Sequence, residues 1–460
     1  MNQSSRHVVI GLLLALLASA RAAQSPPRNA DVSARVQTSE AALQVRDEFL
    51  HAWNGYKKYA WGHDELRPLS KTYHDWYGVS LYMTPVDALD TMILMGLDDE
   101  AAKTKDLIIK NLSFDQDIYV KNFEITIRLL GGLLSSYQLS GDQRLLSLAD
   151  DLGTRLLPAF RSPTGMPYMY VNLKTGAVRE TKSNPAEIGT LLLEFGSLSK
   201  LTGKPIYYEK AKRALVELYN RRSPSGLVGS GIDVETGKWT DPESHISGGI
   251  DSYYEYLLKG WLLLHDEDCN RMWNSSLAAL NKYLAEETTS GLWYGPVNMN
   301  TGERTGHFSG ALDAFFPGEL ALAGDLGRAR RSEESFYKVW THFGVEPEEF
   351  NYSTMKIAYD GYELRPEIIE SAYYLHQFTQ DPHYVQMGRS FFDSLIKYCR
   401  TEAGYASLSS IEKKTQKDEM PSFFLAETLK YLYLLFSPSP KLDLNQMVFN
   451  TEAHPIRRNW

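Results

Sequence analysis

From about Ser33 to Ser437 the chain repeats one pattern: a long loop, an apolar helix, a tight turn, a second helix. The periodicity predicts helices over 36–60, 86–97, 100–111, 122–140, 142–160, 185–203, 206–222, 250–266, 268–287, 309–325, 328–343, 366–380, 383–399 and 421–437. The turns "LSGDQR" (139–144), "LTGKPI" (201–206), "AGDLGR" (323–328) and "FTQDPH" (378–383) each set Gly or Pro beside Asp or Lys. Such clusters join two helices tightly. From the fourth helix on, the unit recurs every roughly 55–65 residues, the mark of a supersecondary element repeated about an axis. Fourteen helices make seven hairpins, which an open α-solenoid or a closed (α/α) toroid could accommodate.

The longer connections favour the closed ring. "PTGMPYMYVNLKTGAVRET", "SGLVGSGIDVETGKW", "SGLWYGPVNMNTGE" and "TEAGYASLSSIEKK" are rich in Gly, Tyr and β-branched residues and predict short β-hairpins. All of them enter the first helix of a pair, so all lie at one end. No Pro/Ser-type linker divides the chain, and 33–460 reads as a single domain. "FSPSPK" (436–441) opens a C-terminal tail that is neither periodic nor disordered in composition.

With 43% hydrophobic and 23% charged residues in 460, the chain has ample material for a large core. A net charge of −9 argues against a nucleic-acid partner, which needs a basic footprint. The start, "MNQSSRHVVIGLLLALLASARAAQS", carries Arg6, the apolar run Val8–Leu17 and small residues at Ala18, Ala20, Ala22 and Ala23. It reads as a cleaved signal peptide over 1–23, with a retained anchor as the alternative, because the run is too short to span a bilayer. No later stretch could span one. The mature protein is expected to be secreted, periplasmic or in a secretory-pathway lumen, and monomeric. Cys269 and Cys399 allow one disulfide or two unpaired thiols, and neither has zinc-type spacing to His.

Acidic residues cluster at the starts of the first helices: Asp87 and Asp90, Glu124, Glu187, Asp251 and Glu255, Glu367 and Glu370, and Glu427. Helix-dipole chemistry alone favours acids there. The surroundings say more. In "NFEITIRLLGGLLSSY" (122–137) apolar residues occupy two stripes, leaving Glu124, Arg128, Gly131 and Ser135 at i, i+4, i+7 and i+11. A helix apolar on two sides is sandwiched, so its polar stripe must face an enclosed lumen. "LRPEIIESAYYLH" and "PSFFLAETLKYLYLLF" follow the same rule. Buried acids need partners, and Arg128 and Arg365 are the cations expected to supply them. Converging carboxylates suit glycoside hydrolysis, in which one protonates the leaving oxygen and another activates water or attacks carbon. No G-x-S-x-G, H-E-x-x-H or P-loop competes. His245, His307, His376 and His454 show no ligand spacing and read as incidental or, at most, sugar-contacting.

Eight blocks carry a resemblance: "DELRPLS" (64–70), "TPVDALDTM" (84–92), "FEITIRLLGGLLSSYQLSGD" (123–142), "AEIGTLLLEF" (186–195), "DSYYEYLLKGW" (251–261), "LRPEIIES" (364–371), "FFLAETLKYLYLLF" (423–436) and "VFNTEAHP" (448–455). Over nearly the whole mature chain they resemble the class I α-mannosidases, glycoside hydrolase family 47. The resemblance implies an (α/α)7 barrel, inverting hydrolysis of terminal α-1,2-linked mannose, a mannose-containing oligosaccharide as substrate and a bound Ca²⁺. It implies Glu124 as the general acid acting through a water, Asp251 as the other acid-side carboxylate, and Glu367 as the base. Arg128 pairs with Glu124 in this reading. Glu187, Arg365, Glu370, Phe423, Glu427 and Glu452 match sugar-pocket or calcium-water positions. Thr451 matches the sole direct protein ligand of calcium, through its carbonyl and hydroxyl oxygens. Three departures stand out: Gly249 where branch-selective enzymes carry Arg, Ala314 and Ala311 where the family has Cys and a sugar-contacting His, and the lack of a long stem and transmembrane anchor. The rival expectations are a glycan-binding or degradation-targeting protein with little turnover, a structural helical scaffold, and a hydrolase for another sugar.

Overall fold

The computed structural model describes residues 28–437 and 442–458. The predicted signal segment 1–23 lies outside them. The helices are α1 (Arg28–Tyr59), α2 (Met83–Met95), α3 (Asp98–Asn111), α4 (Asn122–Ile125), α5 (Gly131–Ser140), α6 (Gln143–Leu156), α7 (Pro185–Gly189), α8 (Leu192–Thr202), α9 (Ile206–Tyr219), α10 (Asp251–Leu264), α11 (Glu267–Tyr283), α12 (Phe316–Leu322), α13 (Leu326–Phe343), α14 (Glu367–Thr379), α15 (Pro382–Tyr398) and α16 (Leu429–Phe436). A π segment, Thr126–Leu130, fuses α4 and α5 into one rod. A kink at 190–191 joins α7 to α8, a 3-10 turn (Ala311–Phe315) leads into α12, and a second π segment, Phe424–Thr428, leads into α16.

These rods form an (α/α)7 barrel. The inner ring is α2, α4–α5, α7–α8, α10, α12, α14 and α16, and the outer ring is α3, α6, α9, α11, α13, α15 and α1. Inner rods are apolar nearly all round and bury almost every residue, whereas outer helices keep a solvent face. Six inner–outer pairs are consecutive hairpins. The seventh is not: α16 packs on α1, so the two ends of the helical chain meet and close the ring.

A recurrent device makes the hairpins tight. The inner helix ends on a residue in the left-handed conformation, and an Asp then caps the outer helix. Gly141 precedes Asp142, Gly324 precedes Asp325, and where glycine is missing His265 and Gln380 take φ 56 before Asp266 and Asp381. Each Asp accepts a backbone N–H from the first turn, a cap that contributes about 1 kcal/mol. Prolines stand at the starts of two inner rods, Pro185 in the first turn of α7 and Pro366 as the cap of α14.

The expected hairpins are present at the loop end, and they are stitched to one another. The strand entering each inner rod pairs with the hairpin of the next loop: Tyr119–Lys121 with Tyr170–Asn172, Lys182–Ser183 with Gly231–Asp233, Glu243–Ser244 with Val297–Asn298, and Phe308–Ser309 with Glu349–Asn351. This fixes where the first residue of each inner rod points.

The lumen is not wet throughout. The tail folds into a hairpin (Met447–Phe449 with Pro455–Arg457) that enters the barrel from the other end. Val448 and Ile456 pack on Leu193, Tyr256 and Leu263. The polar stripe predicted for 122–137 is therefore divided. Glu124 and Arg128 line an open space, but Gly131 lies against Asn450, and Ser135 is buried. A β-carbon on Gly131 would stand 2.6 Å from Asn450 Nδ2, so only glycine admits the tail here. The tip, 450–454, is tied from all sides. Asn450 Nδ2 donates to Ile127 O (2.9 Å) and Glu194 Oε1 (2.8 Å), and Lys430 Nζ donates to Ala453 O (2.6 Å). His454, expected to be incidental or sugar-contacting, is instead fully buried between Asp90 Oδ2 (2.7 Å) and Asp87 Oδ1 (3.3 Å) of α2. Cys269 and Cys399 are both buried and unpaired. Among the described residues no helix is long and apolar enough to cross a membrane.

Candidate active site

Where the inner rods begin, a cavity of about 260 Å³ opens between their first turns and the tip of the tail. Its floor is the plug, so it is blind. All eleven residues singled out from the sequence line it: Glu124 and Arg128 from the α4–α5 rod, Glu187 from α7, Asp251 from α10, Arg365, Glu367 and Glu370 at the start of α14, Phe423 and Glu427 before α16, and Thr451 and Glu452 from the tail. Both π segments contribute, Arg128 standing on one and Glu427 on the other. Wound one residue wide, such a turn re-aims a side chain without ending the helix.

The Glu124–Arg128 pair exists: Arg128 Nε donates to Glu124 Oε2 at 3.1 Å. Arg128 also reaches Glu452 Oε2 through Nη1 at 2.6 Å, tying the tail tip to the barrel wall. Burial alone would lower its pKa, but Glu452, Glu124 and Asp87 overcome this and raise it, so the guanidinium is a permanent cation. It stands 5.6 Å from the Phe423 ring centroid and 5.4 Å from that of Trp76. Arg365 flanks the same Phe423 ring at 5.6 Å. Phe423 is thus an apolar patch of the wall held between two guanidinium groups.

Arg365 departs from expectation. Its guanidinium pairs with Glu348 (3.1 Å) and Glu363 (3.0 Å), not with a carboxylate of the predicted set. Glu348 is itself fixed by the Glu363 N–H (2.8 Å). Two lysines supply the remaining pairing, and neither was anticipated. Lys121 Nζ meets Glu187 Oε1 at 2.7 Å and Glu124 Oε1 at 3.6 Å. Lys259, fully buried, meets Glu255 Oε1 at 2.5 Å, Glu319 at 3.5 Å and Glu370 at 3.7 Å. The signal for Lys259 was present: Glu255 and Lys259 repeat the i, i+4 spacing of Glu124 and Arg128 on the next inner rod but one.

Burial raises most of the carboxyl groups. Asp251 is pushed up to about 7, helped by Glu255, although it accepts from Ser252 N (2.7 Å) and Oγ (3.3 Å). Glu367 is pushed up to about 8 by burial, against Arg365, and its Oε2 is buried with no hydrogen-bond partner. Burial likewise takes Glu187, Glu370 and Glu452 to about 7 against Lys121, Lys259 and Arg128 respectively. Glu427 rises furthest, being buried and crowded by Glu452, Glu367 and Glu370. Such crowding of acids is what a bound cation relieves.

Thr451 sits at the apex of the tip, half-buried, with its N–H on the Tyr256 hydroxyl (3.4 Å), which in turn donates to Glu194 (2.6 Å). Among the described residues nothing hydrogen-bonds the Thr451 hydroxyl or carbonyl, and Thr451 lines the cavity. Among the same residues no three carboxylate, imidazole or thiol side chains are arranged to grip a metal directly. The donor set suits a hard, oxygen-seeking cation held by one residue, with carboxylates behind its waters.

Comparison with known proteins agrees with this geometry. The family model described as glycosyl hydrolase family 47 matches residues 48–458. Alpha-mannosidase I MNS5 of Arabidopsis thaliana is 40% identical over 456 residues, covering 92% of this chain and 78% of that protein. ER degradation-enhancing alpha-mannosidase-like protein 2 of Homo sapiens is 38% identical over 492 residues, covering 98% and 82%. Among solved structures, the alpha-1,2-mannosidase from Trichoderma reesei has a TM-score of 0.84 at 29% identity, covering 91% of this chain and 99% of that one.

Proposed function

The chain belongs to glycosyl hydrolase family 47 and is a glycoside hydrolase of the α-mannosidase type; from this premise we propose that it removes terminal α-1,2-linked mannose from a mannose-containing oligosaccharide, with inversion and with Ca²⁺ bound at Thr451. The observation that carries the reading is the blind cavity, whose wall gathers carboxylates from five inner rods and the tail tip. A cavity closed below by the tail admits a chain end and not a chain middle, which supports exo action. Glu367 activates water: its Oε2 has no protein partner, and it lines the cavity. Glu124 and Asp251 form the acid side across from it. Phe423 gives the sugar an apolar face, and Glu187, Glu370, Glu427 and Glu452 accept from hydroxyl groups or from cation-bound water. The Thr451 oxygens, with Glu427 and Glu452 behind bound waters, would hold Ca²⁺, and the ion would supply orientation of the sugar. The protein is proposed to work in a secretory-pathway lumen, the periplasm or the extracellular space.

The relative named as degradation-enhancing favours a second reading, a mannose-glycan receptor with little turnover. Mannose release from α-1,2-mannobiose, measured before chelation, after chelation and with calcium restored, separates the two. Hydrolysis lost to the chelator and regained with calcium is the expected result. Binding without release in all three states would end the hydrolytic reading.

A further inference from the structure

A blind cavity takes the end of an oligosaccharide, so the rest of the substrate must leave through the mouth and lie on the rim. One part of that rim is built as a continuation of the cavity. It is the three-stranded sheet of Tyr119–Lys121, Tyr170–Asn172 and Val178–Arg179. Val120 and Val171 form the face turned into the protein, and both are fully buried. Alternation along the strands puts Tyr119, Lys121, Tyr170 and Arg179 on the opposite face. The register sets Lys121 against Tyr170 and Tyr170 against Arg179, so these three make a row straight across the sheet. Its first member, Lys121, lines the cavity, where the ammonium meets Glu187 Oε1 at 2.7 Å. Its last member, Arg179, is exposed.

Arg179 is held by aromatic rings alone. Its guanidinium carbon stands 4.2 Å from the Tyr119 ring centroid and 5.0 Å from that of Tyr170. Among the described residues the guanidinium makes no ion pair and no hydrogen bond, and neither phenol hydroxyl makes a hydrogen bond. Stacking therefore fixes the fork while leaving its N–H donors unspent. An arginine kept only for its charge gains nothing from a fixed plane. One that presents two parallel donors to neighbouring hydroxyl groups does, because the ordering cost is met before the ligand arrives.

We propose that this row is a subsite for the sugars beyond the scissile bond, with Tyr170 giving an amphipathic surface beside the mouth and Arg179 donating to two neighbouring hydroxyls of a more distant mannose. The inference rests on the hydrolytic reading above and deepens it by naming the substrate class: neutral mannose chains longer than a disaccharide. Adjacent strands stand about 4.8 Å apart, which sets Arg179 about 10 Å along the rim from Lys121. A disaccharide with its end in the cavity stops short of Arg179, and a longer chain reaches it. Contacts so far from the reacting carbon are made equally before and during the reaction. They lower KM and leave kcat alone.

The test compares initial rates on α-1,2-mannobiose and on linear α-1,2-mannotetraose. In Arg179→Ala, KM for the tetraose should rise about tenfold with kcat unchanged, while both constants for mannobiose stay within about twofold of the wild type. Tyr119→Ala should raise KM for the tetraose about threefold and again spare mannobiose, because the fork is then held by one ring instead of two. An arginine with a merely structural role would change both substrates alike. Equal losses on the two sugars, or an unaltered KM for the tetraose in Arg179→Ala, overturns the inference and leaves the hydrolase intact. A wild type inert on both sugars overturns the hydrolytic reading instead, and the inference with it.

Discussion

At the scale of single residues, the site is a set of acids made tolerable by a few well-placed cations. The sequence showed the acids, because an acid inside an apolar helix is conspicuous. It concealed half of the cations. Arg128 was legible from its spacing to Glu124; Arg365 lines the cavity as expected, but its ion-pair partners are Glu348 and Glu363, since sequence spacing does not reveal which carboxylates a loop arginine meets. His454 was hidden for a related reason: its partners, Asp87 and Asp90, lie more than 360 positions away. Burial alone would lower the His454 pKa, yet Asp90 and the hydrogen bonds that His454 donates to both aspartates raise it to about 9. A raised folded value above about 6.5 in the unfolded chain makes the imidazolium a stabiliser by about 3 kcal/mol below pH 6.5, lost as pH climbs through 9. Thermal midpoints of the wild type and His454→Gln should therefore differ most below pH 6.5 and converge by about pH 9–10. A gap that stays constant across that range contradicts the assignment.

Elements come next. The helix pairs and their turns were readable because each is local: apolar spacing, an αL residue, a capping aspartate. The two π segments were not, since a single wide turn leaves the composition of "FEITIRLLGG" and "FFLAETLK" ordinary. Their effect is large. An uninterrupted α-helix would keep Glu124, Arg128, Gly131 and Ser135 on one stripe, whereas the rod as built gives the first two to the cavity and the glycines to the plug. Gly131→Ala should then force Asn450 aside, lowering stability by about 1–3 kcal/mol and reducing kcat strongly, because Thr451 and Glu452 ride on the displaced tip. Gly141→Ala provides the control. At φ +74 with open space around it, it strains the turn by about 1 kcal/mol and should leave kcat unchanged. Denaturant unfolding and steady-state rates on both variants check this; equal activity loss in the two would mean that the tip is not what Gly131 protects.

The barrel is a ring closed by α1 on α16 and stoppered by its tail. Seven helix pairs and a shared loop end were legible from the repeat, and the family resemblance pointed to Thr451. What neither repeat nor composition could reveal is that the last pair joins α16 to α1, or that the non-periodic tail fills the lower lumen and leaves only its upper end open. Both depend on contacts between distant parts of the chain, such as α1 with α16, His454 with Asp90 and Arg128 with Glu452. The proposed function rests on that closure: a blind cavity lined by Glu124, Asp251 and Glu367, with no hydrogen-bond partner for Glu367 Oε2 among the described residues. One measurement addresses this directly. Proton NMR of the anomeric region, recorded as α-1,2-mannobiose is consumed in the presence of Ca²⁺, should show β-mannose appearing first and α-mannose growing only by mutarotation; α-mannose appearing first, or no mannose at all, would contradict the account.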